Sequence, residues 1–302
     1  MKYTTNIFPY LKTKTGEKPN ISIIVPIYNE EIINIRSLIK DFKRFLVHNK
    51  HKAELILVDD GSNPPLKKPK PISPNIKLIR LNSNCGYGAA IKTGITSSKY
   101  KWIGLIDADG TYSFKDLINI LKLSDQYQLL IGARQWSTIS LIRKIPKKIL
   151  TKIASFFVDF NIPDLNSGLR IFDKTIIENH LNLFPDRFSF TTTLTMFGLS
   201  KKIPTAFVPI QYNRRIGYSK IKPIRDTVRF LSQIISMGIF FNPLRFFMPI
   251  SALFLILAIL RGIRDLVLNN YLGLGSMAFF VISLQVFFFG LIAQMLRRLA
   301  AN

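Results

Sequence analysis

The sequence predicts an α/β fold, a mainly parallel, Rossmann-like sheet with helices on both faces, that ends in two membrane-spanning helices. Three observations carry this prediction. Short β-branched runs alternate with helical patterns through the first half of the chain. The 302 residues combine a formal charge of +24 with a positive mean hydropathy of +0.20. A strongly basic soluble chain is hydrophilic on average, so the apolar residues must be concentrated somewhere. They lie at the end: beyond residue 244 the only charged side chains are Arg245, Arg261, Arg264, Asp265, Arg297 and Arg298. The first 244 residues hold all but five of the 42 basic groups and all but one of the 18 acidic ones, a net +20.

Taken in order, Ile21–Ile27 (ISIIVPI) reads as a buried strand. Residues 31–48 follow with Ile32, Ile35, Leu38, Ile39, Phe42 and Phe45 at helical spacing. Residues 53–58 and 76–81 read as the second and third strands, joined by the Pro- and Lys-rich loop GSNPPLKKPKPISPN. A helix over 86–97, a fourth strand over 102–106, a further helix and a fifth strand over 129–131 complete the alternation. Residues 206–212 are again strand-like, and no internal repeat is apparent. Ligands of such sheets collect at the carboxyl ends of the strands.

In the tail, residues 246–260 carry no charge, and with their flanks they reach about 20 residues, the length of a membrane-crossing helix. Residues 272–296 are 25 in number and also uncharged, long enough to cross with tilt. Two such runs have no comparable partner that would bury them as core helices. The short connection 261–271 makes them a hairpin with both ends on one side. Arg297, Arg298 and the basic front part place that side, and the globular domain with it, in the cytoplasm. The first 20 residues lack the continuous apolar core of a signal peptide. Residues 226–241 place Val228, Leu231, Ile234, Ile235, Gly238 and Ile239 at helical spacing. This is either an amphipathic helix in the membrane interface or one packed on the globular domain. The expected organisation is an extension (1–19), a globular domain (20–225), the amphipathic helix (226–242) and a hairpin (243–302) with spans near 244–262 and 272–296.

The composition excludes several classes. Twenty-four Phe with abundant Ile and Leu exclude disorder. Cys85 is the only cysteine, which excludes a disulfide framework, and with His48, His51 and His180 it makes no zinc cluster.

The polar signals fall at strand ends. Asp107-Ala108-Asp109 follows the apolar run WIGLI directly, where two carboxylates two residues apart can hold a hard divalent cation that also touches a diphosphate. Asp59-Asp60-Gly61-Ser62 closes the second strand, either as a carboxylate that accepts from a base N–H or as a plain Asp-Gly turn. Tyr28 suits stacking on a base, while Asn29 with Glu30 and Glu31 reads equally as a helix start. The Gly86–Gly88 loop before a helix resembles a phosphate cradle but lacks the spacing of a dinucleotide or P-loop site.

The segments VPIYNEE, VDDGS, NCGYGAAIKTGI and DADGTY, in this order and spacing, resemble the family 2 glycosyltransferases with the A-type fold. IGAR, DLNSGLRIF, FSFTTTLT, VPIQYNRRIGYSKIKPIRD and the terminal hairpin resemble the branch that loads a sugar onto a polyprenyl phosphate, typified by dolichyl-phosphate mannose synthase. The resemblance covers roughly residues 20 to 300. It implies that Pro26, Tyr28, Glu30 and Asp60 hold the nucleotide, and that Asp107 and Asp109 bind Mg²⁺ or Mn²⁺ on the donor diphosphate. The mannose synthases place a metal-site Gln two positions after the second Asp; here Thr111 stands there. Arg134 and Arg143 match residues that receive the acceptor phosphate, with Asp164 and Ser167 of DLNSGLR beside them. Asp164 either orients those cations, lines the acceptor site or caps its loop. Arg214, Arg215, Ser219 and Lys220 match the basic loop near the phosphates; the plain reading is a basic surface loop drawn to anionic lipid. Of these, Asp109, Arg134, Arg143, Arg215 and Lys220 are the expected catalytic residues.

The chemistry is consistent with this set. A phosphate monoester acceptor is already ionised near neutral pH, so no strong base is required. The site must instead offset crowded negative charge with a metal and several Arg or Lys. The implied reaction is inverting transfer of a hexose or amino-hexose from a UDP- or GDP-sugar to polyprenyl phosphate by an integral membrane enzyme, with self-association left open. A polysaccharide synthase is the competing enzymatic reading, but its Gln-x-x-Arg-Trp motif and additional spans are missing. A membrane-tethered nucleic-acid binder is disfavoured because the basic residues are scattered and no nucleic-acid module is recognisable. A catalytically dead scaffold is disfavoured by the intact Asp107 and Asp109.

Overall fold

The computed structural model describes residues 4–5, 19–48, 52–67, 73–134, 141–187, 189–211 and 223–299, with the side chains of 4–5, 48, 141–146 and 223–227 not included. One sheet of eight strands organises it: β1 (Thr4–Thr5), β2 (Ile21–Ile27), β3 (Ala53–Asp59), β4 (Ile76–Arg80), β5 (Trp102–Leu105), β6 (Leu129–Arg134), β7 (Arg170–Asp173) and β8 (Thr205–Ile210). The helices are α1 (Ile32–His48), α2 (Tyr87–Thr96), α3 (Phe114–Leu121), α4 (Leu141–Val158), α5 (Phe190–Ser200), α6 (Pro223–Phe241), α7 (Pro243–Asn269) and α8 (Leu274–Leu299). The spatial strand order is β1-β8-β6-β7-β5-β2-β3-β4.

The core strands β2 and β3 are buried on both faces, which is why they read as continuous apolar runs rather than alternating ones. Ile21, Ile23, Val25 and Ile27 of β2 share a cluster with Ile35, Leu38 and Phe42 of α1 and Leu117 and Ile120 of α3. Ile24 faces the other way, against Gly94 of α2, where a Cβ would overlap its side chain. Helices therefore cover both faces, as expected. Ser113 caps α3 by accepting the N–H of Asp116 at 3.1 Å.

The sheet is mainly parallel, as expected, with two strands that run against their neighbours, β1 on β8 and β7. Pairs β2–β3, β2–β5, β3–β4 and β6–β8 are parallel, but β7 runs antiparallel between β5 and β6. Its register sets Arg170 opposite Leu105 and Ile131. A four-residue apolar strand carries no direction in its pattern; its direction follows from the chain entering at the carboxyl edge.

Two compact units divide the chain: residues 1–151 with 162–230, and 152–161 with 231–302. Within the second, α7 and α8 form an antiparallel hairpin, both long and apolar enough to cross a membrane. Small buried residues line their seam: Ser251, Ala258 and Gly262 on α7, Ser276, Ser283 and Gly290 on α8. The spacing of seven on α8 keeps one face toward its partner. Ser251 and Ser283 bond reciprocally, each hydroxyl donating to the other's carbonyl at 3.0 and 2.8 Å. The expected connection 261–271 is mostly helix. α7 continues to Asn269, and buried Asp265 takes an ion pair from Arg261 one turn back (3.2 Å) and the N–H of Gly273 (3.2 Å), which leaves only 270–273 as the turn.

The base of the hairpin is latched by polar groups. Asn242 donates to the Phe157 carbonyl at 2.7 Å, and Arg245 reaches the Phe156 carbonyl at 2.8 Å and Asp159 at 2.7 Å. Arg297 donates to the carbonyl of Phe241. Gly238 of α6 lies flat against the Phe157 ring, where a side chain would collide. Truncating the chain after residue 242 should leave protein that alkaline wash releases from membranes without detergent, whereas the full chain stays in the bilayer. The reason is that each span supplies about 20 apolar residues of anchorage. Retention of the truncated chain after the wash would show that the anchor lies elsewhere.

Candidate active site

The carboxyl edge of the sheet gathers the residues singled out by the sequence. Pro26, Tyr28 and Glu30 lie at the end of β2, Asp60 just beyond β3, Asp107 and Asp109 just beyond β5, and Arg134 ends β6. Tyr28 is 38% exposed, open enough for a flat ligand to reach its ring. Arg214, Arg215, Ser219 and Lys220 lie outside the described residues. Arg143 lies on α4 one turn before Lys147, and its side chain is likewise not described.

The two loops after β2 and β3 are pinned together. Asn29, at φ 47°, accepts the N–H of Asn63 on its side chain (2.9 Å), while its own N–H donates to Ser62 Oγ (2.9 Å). Buried Asp59 accepts the N–H groups of Ser62 and Leu66 at 2.9 and 3.1 Å, which holds the turn after β3. Asp60 accepts the N–H groups of Cys85 and Gly86 at 2.8 and 2.9 Å, one on each carboxylate oxygen. Each oxygen retains a second lone pair.

The glycine loop is not a phosphate cradle. The N–H of Gly88 goes to the Arg187 carbonyl (3.1 Å) and that of Ala89 to the Asp186 carbonyl (2.7 Å). Lys92 adds an ion pair to Asp186 at 2.7 Å. A Cβ at Gly88 would sit on the Pro185 carbonyl, so this glycine serves backbone-to-backbone packing. The amides that the sequence suggested for phosphate are occupied by protein acceptors.

Asp107 is held from two sides. The hydroxyl of Tyr87 donates to Oδ1 at 3.0 Å, and Gly168 packs so closely that a Cβ there would overlap Oδ2. Burial, then the charge of Asp107, raises the Tyr87 hydroxyl well above its ordinary value, so it remains a donor. Asp109 accepts both the N–H (3.1 Å) and the hydroxyl (2.6 Å) of Thr111 on Oδ1. Thr111 thus orients a carboxylate. Among the described residues no cluster of three or more His, Cys, Asp or Glu forms a self-contained metal cage. Two hydrogen-bonded carboxylates still suit a hard divalent ion that completes its shell with diphosphate and water.

On the other side of β7, Asp164 collects cations. Arg134 grips it with Nε to Oδ2 at 2.6 Å and Nη2 to Oδ1 at 2.8 Å, and its backbone N–H adds a third bond at 3.2 Å. Lys147 of α4 stands 3.7 Å from Oδ1. Burial pushes the Asp164 carboxyl up, but the hydrogen bonds and charge of Arg134 and the charge of Lys147 outweigh it and hold the group at about 2. Burial pushes the Lys147 ammonium down; Asp164 opposes this and Arg134 adds to it, leaving it at about 8. Tyr112 lies within the fields of Arg134, Asp107 and Asp164, and its hydroxyl accepts the Gly168 N–H at 2.8 Å. Burial raises that hydroxyl far above its ordinary value.

Lys147, Tyr87 and Arg170 were not singled out from the sequence. Lys147 had a signal available, since it follows Arg143 by four residues and shares its helix face. Arg170 is fully buried and is pushed down to about 10, chiefly by burial.

Paired carboxylates and buried cations at the carboxyl edge of a mixed sheet are the equipment of an A-type glycosyltransferase. The chain belongs to glycosyl transferase family 2, whose domain matches residues 22–181, and residues 242–299 match the GtrB C-terminal hairpin. It is 28% identical to a dolichyl-phosphate beta-glucosyltransferase of Dictyostelium discoideum over 76% of this chain and 77% of that protein. It is 24% identical to a dodecaprenyl-phosphate galacturonate synthase of Rhizobium johnstonii over 92% and 88%. Among solved structures, glucosyl-3-phosphoglycerate synthase from Mycobacterium tuberculosis, crystallised with Mn²⁺, UDP-glucose and phosphoglyceric acid, superposes with a TM-score of 0.55 at 15% identity. That match covers 73% of this chain and 80% of that one, and shows a shared fold.

The low value of Asp164 has a consequence for stability. Its folded-state value lies below the ordinary 3.8, so it contributes stability above about pH 4 that is lost as pH falls toward about 2. The contribution is about 2 kcal/mol. Asp164→Asn should be destabilised at pH 7, and the gap to wild type in denaturant unfolding should narrow through that acid window. A gap that stays constant with pH would mean that Asp164 is not charged and paired.

Proposed function

We propose that the chain transfers a hexose or amino-hexose from a UDP- or GDP-sugar to a polyprenyl or dolichyl phosphate, with inversion, at the cytoplasmic face of a membrane. The observation that carries this reading is the cluster beyond β6, where two cations, Arg134 and Lys147, share the single buried carboxylate of Asp164. Two cations gathered at the carboxyl edge fit an arriving phosphate. Support comes from the relatives, which are named as transferases to dolichyl and dodecaprenyl phosphate, and from the apolar hairpin, which suits a lipid-linked acceptor.

In this reading Tyr28 stacks on the base, and Pro26, Glu30 and the remaining lone pairs of Asp60 border the nucleotide. Asp107 and Asp109 hold a divalent cation that neutralises charge on the donor diphosphate. Arg134, oriented by Asp164, and Lys147 receive the acceptor phosphate, with Arg143 on the same helix face and Ser167 on the adjoining loop. Lys147 joins Arg143 in this set through its ion pair with Asp164. The phosphate oxygen is ionised at neutral pH and attacks the anomeric carbon without a general base, as the bond from that carbon to the donor diphosphate breaks and the nucleoside diphosphate leaves. Arg214, Arg215, Ser219 and Lys220 complete the cationic surround. The 226–242 helix lies in the membrane interface and the 20–225 region is the catalytic domain.

Incubating membranes that contain the protein with polyprenyl phosphate and a panel of labelled UDP- and GDP-sugars should yield one lipid-linked monosaccharide. Excess chelator should abolish the product, Mg²⁺ or Mn²⁺ should restore it, and Asp109→Asn should lose most of it. No lipid product with any donor would remove the reading, and full turnover in chelator would remove the metal.

The pH profile offers an independent measurement. Lys147 loses its proton as pH rises through about 8 in the ligand-free chain, so kcat/KM for the acceptor should fall above that pH. Lys147→Arg should abolish the alkaline limb, because a guanidinium stays charged throughout. An unchanged limb in that variant would take Lys147 out of the acceptor site.

A further inference from the structure

We propose that Arg170 is a positioning residue for the transfer, holding the 164–169 segment so that the acceptor cations and the donor carboxylate keep one spacing. The inference rests on the assignment of the two substrate halves made above. The segment touches both of them. At its start Asp164 takes three hydrogen bonds from Arg134 and the ion pair from Lys147. Near its end Gly168 donates to Tyr112 and lies against Asp107.

Between these contacts the planar guanidinium bridges the chain. Nη2 donates to the Leu165 carbonyl at 2.9 Å and Nε to the Ser167 carbonyl at 2.8 Å, while Nη1 donates to Thr195 Oγ1 of α5 at 2.7 Å. All three hydrogen-bond acceptors are neutral. A buried charge satisfied in this way is seldom more stabilising than a well-packed apolar side chain, so stability alone is a weak reason for an arginine here. What the fork supplies is shape: two carbonyls two residues apart are held by one rigid group, and a third arm fastens that group to a helix. The ammonium of a lysine cannot reproduce the fork. The buried Ser167 hydroxyl has no partner among the described residues and rides on the same segment.

The test uses the full chain in membranes or detergent, with wild-type transfer as the control. Arg170→Lys should lower kcat roughly a hundredfold, the scale of a misplacement of about 1 Å, while both KM values stay within about fivefold. Thr195→Val should lower kcat by about tenfold and Thr195→Ser should restore it, because only the hydroxyl arm differs. Melting temperatures are recorded for each variant. If Arg170→Lys melts earlier but keeps kcat within about twofold, or raises KM alone, Arg170 is structural and the proposal fails. If Arg170→Lys does not fold, the Thr195 pair decides, and equal kcat for Thr195→Val and Thr195→Ser overturns the proposal. Absence of lipid-linked product from wild type would instead remove the assigned reaction, an outcome that the control reveals before any variant is compared.

Discussion

A four-residue strand running against its neighbours is the constraint on which the site depends. β7 enters antiparallel between β5 and β6, so the ends that carry Asp107 and Arg134 stand two strand spacings apart, about 10 Å. That gap leaves room for two phosphate-bearing groups side by side. It also forces the chain leading into β7 to pass over the carboxyl edge, which is how Asp164 and Gly168 come to touch opposite halves of one site. A fully parallel order would have brought that segment in from the opposite edge.

Charge is distributed along this edge in a way that suits anions which arrive ionised. The paired carboxylates beyond β5 accept from neutral hydroxyls, Tyr87 on Asp107 and Thr111 on Asp109. The buried carboxylate beyond β6 is paired with cations, Arg134 and Lys147 on Asp164. In the proposed reading the first arrangement suits a metal and the second suits a phosphate. His180 plays no part in either, since its ring packs on Phe197 at 5.3 Å. A site built to offset charge has no need of an imidazole.

The membrane unit follows a different rule. In lipid there is little hydrophobic gain from pairing helices, so α7 and α8 meet through small residues and two reciprocal serine bonds. Their large side chains, among them Leu253, Ile256, Phe280 and Phe288, face outward. The few charges left in the tail are spent at the ends, with Asp265 closing the turn and Arg245 and Arg297 latching the base.

By itself the sequence determined whatever depends on near neighbours along the chain. β-branched runs marked β2 to β5 and uncharged runs marked the two spans, because period and polarity are local properties. The carboxylates at strand ends were legible for the same reason, each following directly on an apolar run. Only the tertiary structure decided the direction of β7, since an apolar tetrapeptide pairs either way. It alone revealed that the Gly88 and Ala89 amides are occupied by the carbonyls of residues 187 and 186, about a hundred positions away, and that Arg134 finds its partner thirty residues on at Asp164. Tyr87 and Arg170 belong to the same class, and for Lys147 the four-residue spacing from Arg143 marked a shared helix face but not its burial. Nothing in the local pattern distinguishes a buried cation or hydroxyl from a solvated one, because burial is a property of what packs against it.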